Sequence, residues 1–138
     1  MADIVRKVRY SYVMVPNRAG TGAAVLLRLR EAGIDLVAYS GFPAPGGKAQ
    51  IDLVTDDVAG LRRVAKSNGW RLSAAKKGFL VQGDDRIGRV HRHLAKLAAA
   101  KVSVVAADAV SAGKGRYGMI LWVKAKDYGR AARALGAR

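Results

Sequence analysis

The sequence predicts an α+β fold of two tandem units, each running strand, helix, strand, strand, helix, strand, with the last strand missing from the second. Three observations carry this reading. The same order of strand and helix patterns runs twice along the 138 residues. Matching residues recur at a fixed spacing, Asn17 with Asp85, Arg18 with Arg86, Gly20 with Gly88, Leu26 with Leu94, Leu29 with Leu97 and Ile34 with Val102, each pair 68 residues apart. Each half also carries an Asn/Asp-Arg-x-Gly turn between its first strand and first helix.

Alternating apolar residues at Val8, Tyr10, Tyr12 and Met14 predict a first strand ending at Pro16-Asn17. A helix follows from Gly20 to Ala32, with Val25, Leu26, Leu29 and Ala32 on one face and Gly33 as its stop. Leu36–Phe42 and Ala49–Thr55 read as a hairpin closed by Pro43-Ala44-Pro45-Gly46-Gly47. Asp56 or Asp57 caps a second helix reaching Asn68, which turns Val58, Leu61 and Ala65 inward. Trp70–Ala75 completes the unit as a fourth strand, and Lys76-Lys77-Gly78 links residues 1–77 to residues 78–138.

The series then restarts: strand Phe79–Gln82, helix Arg86–Ala100, strand Val102–Val110, loop Ser111–Gly115, strand Tyr117–Val123 and helix Asp127–Leu135. Leu53 matches Val123 and Asp57 matches Asp127 at a spacing of 70, which puts a two-residue difference in the hairpin tips. Only Gly136-Ala137-Arg138 follow Leu135, so the second sheet keeps an open edge for the N-terminal segment or a second subunit to cover.

Composition bounds the function. Hydrophobic residues make up 51% and charged residues 25%, enough to build a core. No apolar run approaches the roughly 20 residues that cross a bilayer, and the first residues lack a signal peptide's apolar segment, so a cytoplasmic protein without a membrane partner is expected. The absence of cysteine excludes disulfides, thiol nucleophiles and cysteine-ligated metals. The net charge of +15 draws polyanions and acidic partners without naming one.

In both turns the Asn or Asp falls where a helix needs its N-cap, so Asn17 and Asp85 are expected to accept a backbone N–H. Gly20 and Gly88 are poor helix formers and mark an unusual φ or a close approach to the backbone. Free N–H groups and the positive end of the helix dipole suit a carboxylate there. The turns Asn17-Arg18-Ala19-Gly20 and Asp85-Arg86-Ile87-Gly88, set in units of this length, resemble those of the ACT domain, which read Asp/Asn-Arg-Pro-Gly. Ala19 and Ile87 replace the proline.

The resemblance spans residues 8 to 135 and implies two tandem ferredoxin-like βαββαβ units with antiparallel sheets joined side by side. It also implies an amino-acid effector bound at unit or subunit interfaces of a homodimer. The effector's contacts would be the turn residues Asn17, Arg18, Ala19 and Gly20, or Asp85, Arg86 and Gly88. The polar residue at the start of the facing unit's second strand, Asp35 or Ser103, would add to them.

Other features favour structural roles. Ile87, Val90, Leu94 and Leu97 are spaced to face the sheet, while Arg86, Arg89, His93 and Lys96 share a basic face that usually stays in water. His91 and His93 diverge on a helix and form no metal site. Trp70 and Trp122 sit in apolar strand patterns. No nucleophile stands beside a base, and no spaced carboxylate pair or metal cluster occurs, so neither catalysis nor a cofactor is expected. The alternative is a nucleic-acid-binding protein using its basic surface, although the strands lack the aromatic signature of RNA-recognition motifs.

Overall fold

The computed structural model describes residues 3–138. Contacts divide the described residues into Arg9–Lys76 and a second unit of Lys77–Arg138 together with residues 3–8. The sequence predicts units of residues 1–77 and 78–138; the contacts place residues 3–8 with the later half instead.

In the first unit, β1 (Ile4–Pro16, from Arg9 onward), α1 (Thr21–Glu31), β2 (Ala38–Ala44), β3 (Lys48–Val54) and α2 (Val58–Ser67) follow in order. β3 pairs antiparallel with β1, from Tyr10 opposite Val54 to Pro16 opposite Lys48, and with β2, from Ala38 opposite Val54 to Ala44 opposite Lys48. Strand side chains alternate between faces, so Val13, Ile51 and Leu53 project to one side and close a core with Val25, Leu29, Leu61 and Val64 of the helices. Asp57 caps α2 as expected, its carboxylate accepting the Gly60 N–H at 2.8 Å.

The expected fourth strand over Trp70–Ala75 does not form. Ser73 donates its N–H to the Tyr12 carbonyl at 2.9 Å, but the Tyr12 N–H bonds the Ser73 hydroxyl at 2.9 Å. A side-chain oxygen thus takes the place of a ladder carbonyl, which ends regular pairing.

On the sheet face away from this core, Tyr12, Asp52 and Ser40 lie side by side. Asp52 is buried, accepts from Gln50 Nε2 at 3.0 Å, and has its carboxyl pushed up by burial. A carboxyl with a raised folded pKa weakens the fold once it ionises and costs nothing below its unfolded value. Asp52→Asn is therefore expected to raise stability by about 1 kcal/mol at pH 7, with the gain vanishing below pH 3.8 in urea unfolding.

The second unit holds β4 (Lys76–Asp84), α3 (Arg89–Ala99), β5 (Val104–Gly113), β6 (Arg116–Val123), a 3-10 turn (Ala125–Asp127) and α4 (Tyr128–Leu135). β6 lies between β4 and β5, with Leu121 opposite both Phe79 and Ala107. Its core gathers Phe79, Val81, Leu97, Met119, Leu121 and Ala131. The N-terminal segment covers the edge that the sequence left open. Val5 joins this core, the Lys7 N–H donates to the Arg138 carbonyl at 2.9 Å, and the Arg138 N–H donates to the Val5 carbonyl at 3.1 Å.

The repeat extends to single hydrogen bonds. Asn17 N–H reaches the Gly47 carbonyl at 2.9 Å as Asp85 N–H reaches Gly115 at 2.8 Å, and Ile34 N–H reaches Leu29 as Val102 N–H reaches Leu97, both at 2.9 Å. Strand register corrects one alignment. Leu53 opposite Ser11 corresponds to Leu121 opposite Phe79, so the spacing of 68 persists through the third strand. The two-residue difference lies after it, where β6 runs to Val123 and the 3-10 turn precedes α4, and not in the hairpin tips. The tandem α+β architecture is the one the sequence predicts, apart from the first unit's fourth strand; in each unit the first and third strands are adjacent and the second lies outside.

Candidate functional site

Neither Asn17 nor Asp85 caps a helix. The N-caps are Gly20 and Gly88, at φ 91° and 83°, and neither helix has a side-chain cap bond. The left-handed glycine turns the chain into the helix, which moves the start to Thr21 and Arg89 and leaves Asn17 and Asp85 too far upstream. It also places Ile87 in the turn, fully exposed instead of facing the sheet. Thr21 ties the first turn together, its hydroxyl donating to the Pro16 carbonyl at 2.9 Å with the Arg18 carbonyl at 3.1 Å as a second acceptor.

With no capping side chain and no acidic residue in its first turn, α1 keeps an uncompensated dipole, although its Thr21 N–H is bonded to the Arg18 carbonyl at 3.4 Å. Thr21 and Gly22 of that turn line a cleft of about 260 Å³ together with Asn17, Tyr39, Phe42 and Ile51, among others. Tyr39 and Phe42 from β2 form an aromatic wall, and both stay roughly 40% exposed. Gly22 explains its own identity, since a Cβ there would stand 3.1 Å from the Tyr39 hydroxyl. The missing side chain lets that phenol sit over the first turn of α1.

Of the residues singled out from the sequence, Asn17 lines the cleft directly and Gly20 shapes its helix. Arg18 and Ala19 are exposed in the turn. Asp35 lies at the other end of the unit: Asn17 follows the end of β1 where Pro16 faces Lys48, whereas the Asp35 carbonyl accepts the Thr55 hydroxyl beyond Val54 at 2.8 Å. Within the unit the two are not brought together. In the second unit Asp85, Arg86, Gly88 and Ser103 are exposed, and Ser103 precedes β5. Thr21, Gly22, Tyr39 and Phe42 escaped sequence reasoning. A second glycine inside the first helical turn was the one available signal.

The matching place in the second unit is filled from within. Val15, Thr21 and Ala49 of the cleft correspond at the spacing of 68 to Gly83, Arg89 and Tyr117. These three surround Asp3. Tyr117 donates its hydroxyl to Asp3 Oδ2 at 2.5 Å, His93 Nε2 stands 2.6 Å from the same oxygen, and Arg89 Nη1 lies 3.6 Å from Oδ1. A Cβ on Gly83 would collide with Asp3 Oδ1. His93 and Asp3 keep only 3% and 4% of their side-chain surface, so His93 leaves the wet basic face on which the sequence placed it.

Burial raises the Asp3 carboxyl, but the hydrogen bonds from Tyr117 and His93 and the charges of His93 and Arg89 outweigh it, leaving it below the usual range. The Tyr117 phenol is pushed up by burial and by Asp3. Of the two indoles, Trp122 is buried, and Trp70 packs against the first core.

No protein-family model matches the sequence, and no curated protein matches it. Solved structures do. Protein BT0572 from Bacteroides thetaiotaomicron matches with a TM-score of 0.76 and 15% identity, over 97% of this chain and 88% of that one. The regulatory subunit of aspartate kinase from Thermus thermophilus, in its ligand-free form, matches with a TM-score of 0.66 and 14% identity, over 98% and 93%. The aspartate kinase from Synechocystis matches with a TM-score of 0.62 and 14% identity, over 97% of this chain and 25% of that one. At these identities the likeness concerns the fold alone, a tandem pair of ferredoxin-like α+β units.

Proposed function

We propose that the chain is a non-catalytic regulatory protein whose first unit binds an amino acid and thereby biases a partner or an assembly of its own copies. The observation that carries this is the cleft at the uncapped start of α1, in a fold shared with a regulatory subunit of aspartate kinase. The N–H groups of α1 suit a carboxylate. Asn17 and Tyr39 offer oxygens to an ammonium group, and Val15, Ala49 and Ile51 make an apolar floor for a side chain. A homodimer would cover the half-exposed Tyr39 and Phe42.

A thermal-shift screen of the twenty amino acids tests this, because a ligand of the native state raises Tm by mass action. At least one is expected to raise it. Gly22→Val pushes the flexible Tyr39 hydroxyl aside and crowds the cleft while improving helix propensity. It should leave Tm of the free protein within roughly 3 °C of wild type and abolish the ligand-induced shift. If no amino acid moves Tm, or Gly22→Val responds as wild type does, the reading fails.

A further inference from the structure

The geometry points to a second carboxylate site, in the unit of Lys77–Arg138, that the chain occupies with its own Asp3. In the first unit, Val15, Thr21 and Ala49 leave an open cleft. At the matching positions Gly83 makes room, and Arg89 and Tyr117 bring a cation and a hydroxyl, with His93 added from the next turn of α3. Every polar group around the carboxylate favours its anionic form, and Gly83 has no side chain because Oδ1 fills that space.

This is a receptor for one carboxylate, assembled from β4, α3 and β6 and loaded from the N-terminus. Nothing in the local sequence demands it, since the first unit makes the same turn without a cation at Thr21 or a phenol at Ala49. The free ligand class it would accept is a small monocarboxylate such as formate or acetate. The tether gives Asp3 a high effective concentration, so a free carboxylate binds only when Asp3 is removed. Resting also on the proposed function, the site limits each chain to one effector, bound in the first unit.

Chemical rescue tests the receptor apart from any effector. Asp3→Ala is titrated with sodium acetate and, at equal ionic strength, with sodium chloride, and unfolding is followed by heat. Acetate near ten times its Kd should raise the Tm of Asp3→Ala by roughly 4 °C beyond chloride, in excess of any acetate-specific rise in wild type, whose first unit is the same. An acetate-specific rise no larger in Asp3→Ala than in wild type would overturn the inference. Should Asp3→Ala fail to fold, Asp3→Ser carries the same comparison, with a hydroxyl left for Tyr117. For stoichiometry, calorimetric titration of wild type with the amino acid found by the thermal screen should give one equivalent per chain. Two equivalents would overturn the occupied second site. If no amino acid binds, the proposed function falls, and the acetate comparison still decides the receptor.

Discussion

Asp3→Ala is expected to destabilise the unit of Lys77–Arg138 by about 3 kcal/mol, lowering its Tm by roughly 10 °C in calorimetry at pH 7. Removing one partner of a buried ionic cluster strands the others. Tyr117 and His93 lose a hydrogen-bond partner, and Arg89 loses its counter-charge. The lower end of the usual cost applies because Arg89 keeps 14% of its surface in water. Asp3 also precedes the part of β1 that carries Val5 into the core, so its loss loosens the segment covering the sheet edge. The pH dependence has a fixed sign. A carboxyl whose folded pKa is lowered stabilises fully above its unfolded value of 3.8 and loses that contribution as pH falls through the lower folded value. The gap between wild type and Asp3→Ala should be full at neutral pH and close below pH 3.8; a gap that widens on acidification would contradict this geometry.

Phe79→Ala should cost about 4 kcal/mol, more than any other substitution considered. Phe79 is fully buried at the centre of the second core and stacks on Tyr128, with ring centroids 4.5 Å apart and planes 9° from parallel. Truncation leaves a ring-sized void beside a tyrosine whose hydroxyl is held by the Gly78 carbonyl at 2.9 Å, so Tyr128 cannot swing in to fill it. Its counterpart in the first unit is Ser11, itself buried, so the two cores are filled differently on one backbone plan. Hydrogen exchange should show faster opening of β6 and α4 with β3 and α2 little changed. Uniform acceleration across both units would count against two separate cores.

The architecture was legible because it repeats. Leu29 and Leu97, Gly20 and Gly88, and the capping Asp57 each carry a local signal that the structure honours. The strand over Trp70–Ala75 was not legible, since whether Ser73 offers its carbonyl or its hydroxyl to Tyr12 is decided by neighbours 61 residues away. The helix starts depart from expectation for a related reason. An Asn or Asp before a helix usually caps it, but here the glycine three residues on takes the left-handed turn first. Asp3 was invisible, because its partners Arg89, His93 and Tyr117 lie 86 or more residues along the chain and share no motif with it. Tyr39 was read as an ordinary strand residue, and its hydroxyl acquires meaning only over Gly22.

The proposed open carboxylate site of this duplicated fold lies in the first unit. Backbone amide chemical-shift mapping by NMR, during titration with the amino acid that raises Tm, tests it most directly. Perturbations should concentrate at the first turn of α1, from Asn17 to Gly22, and along β2 from Tyr39 to Phe42, with the corresponding turn from Asp85 to Gly88 unmoved. Shifts centred on Asp85 to Gly88, or scattered over both units without saturation, would contradict it.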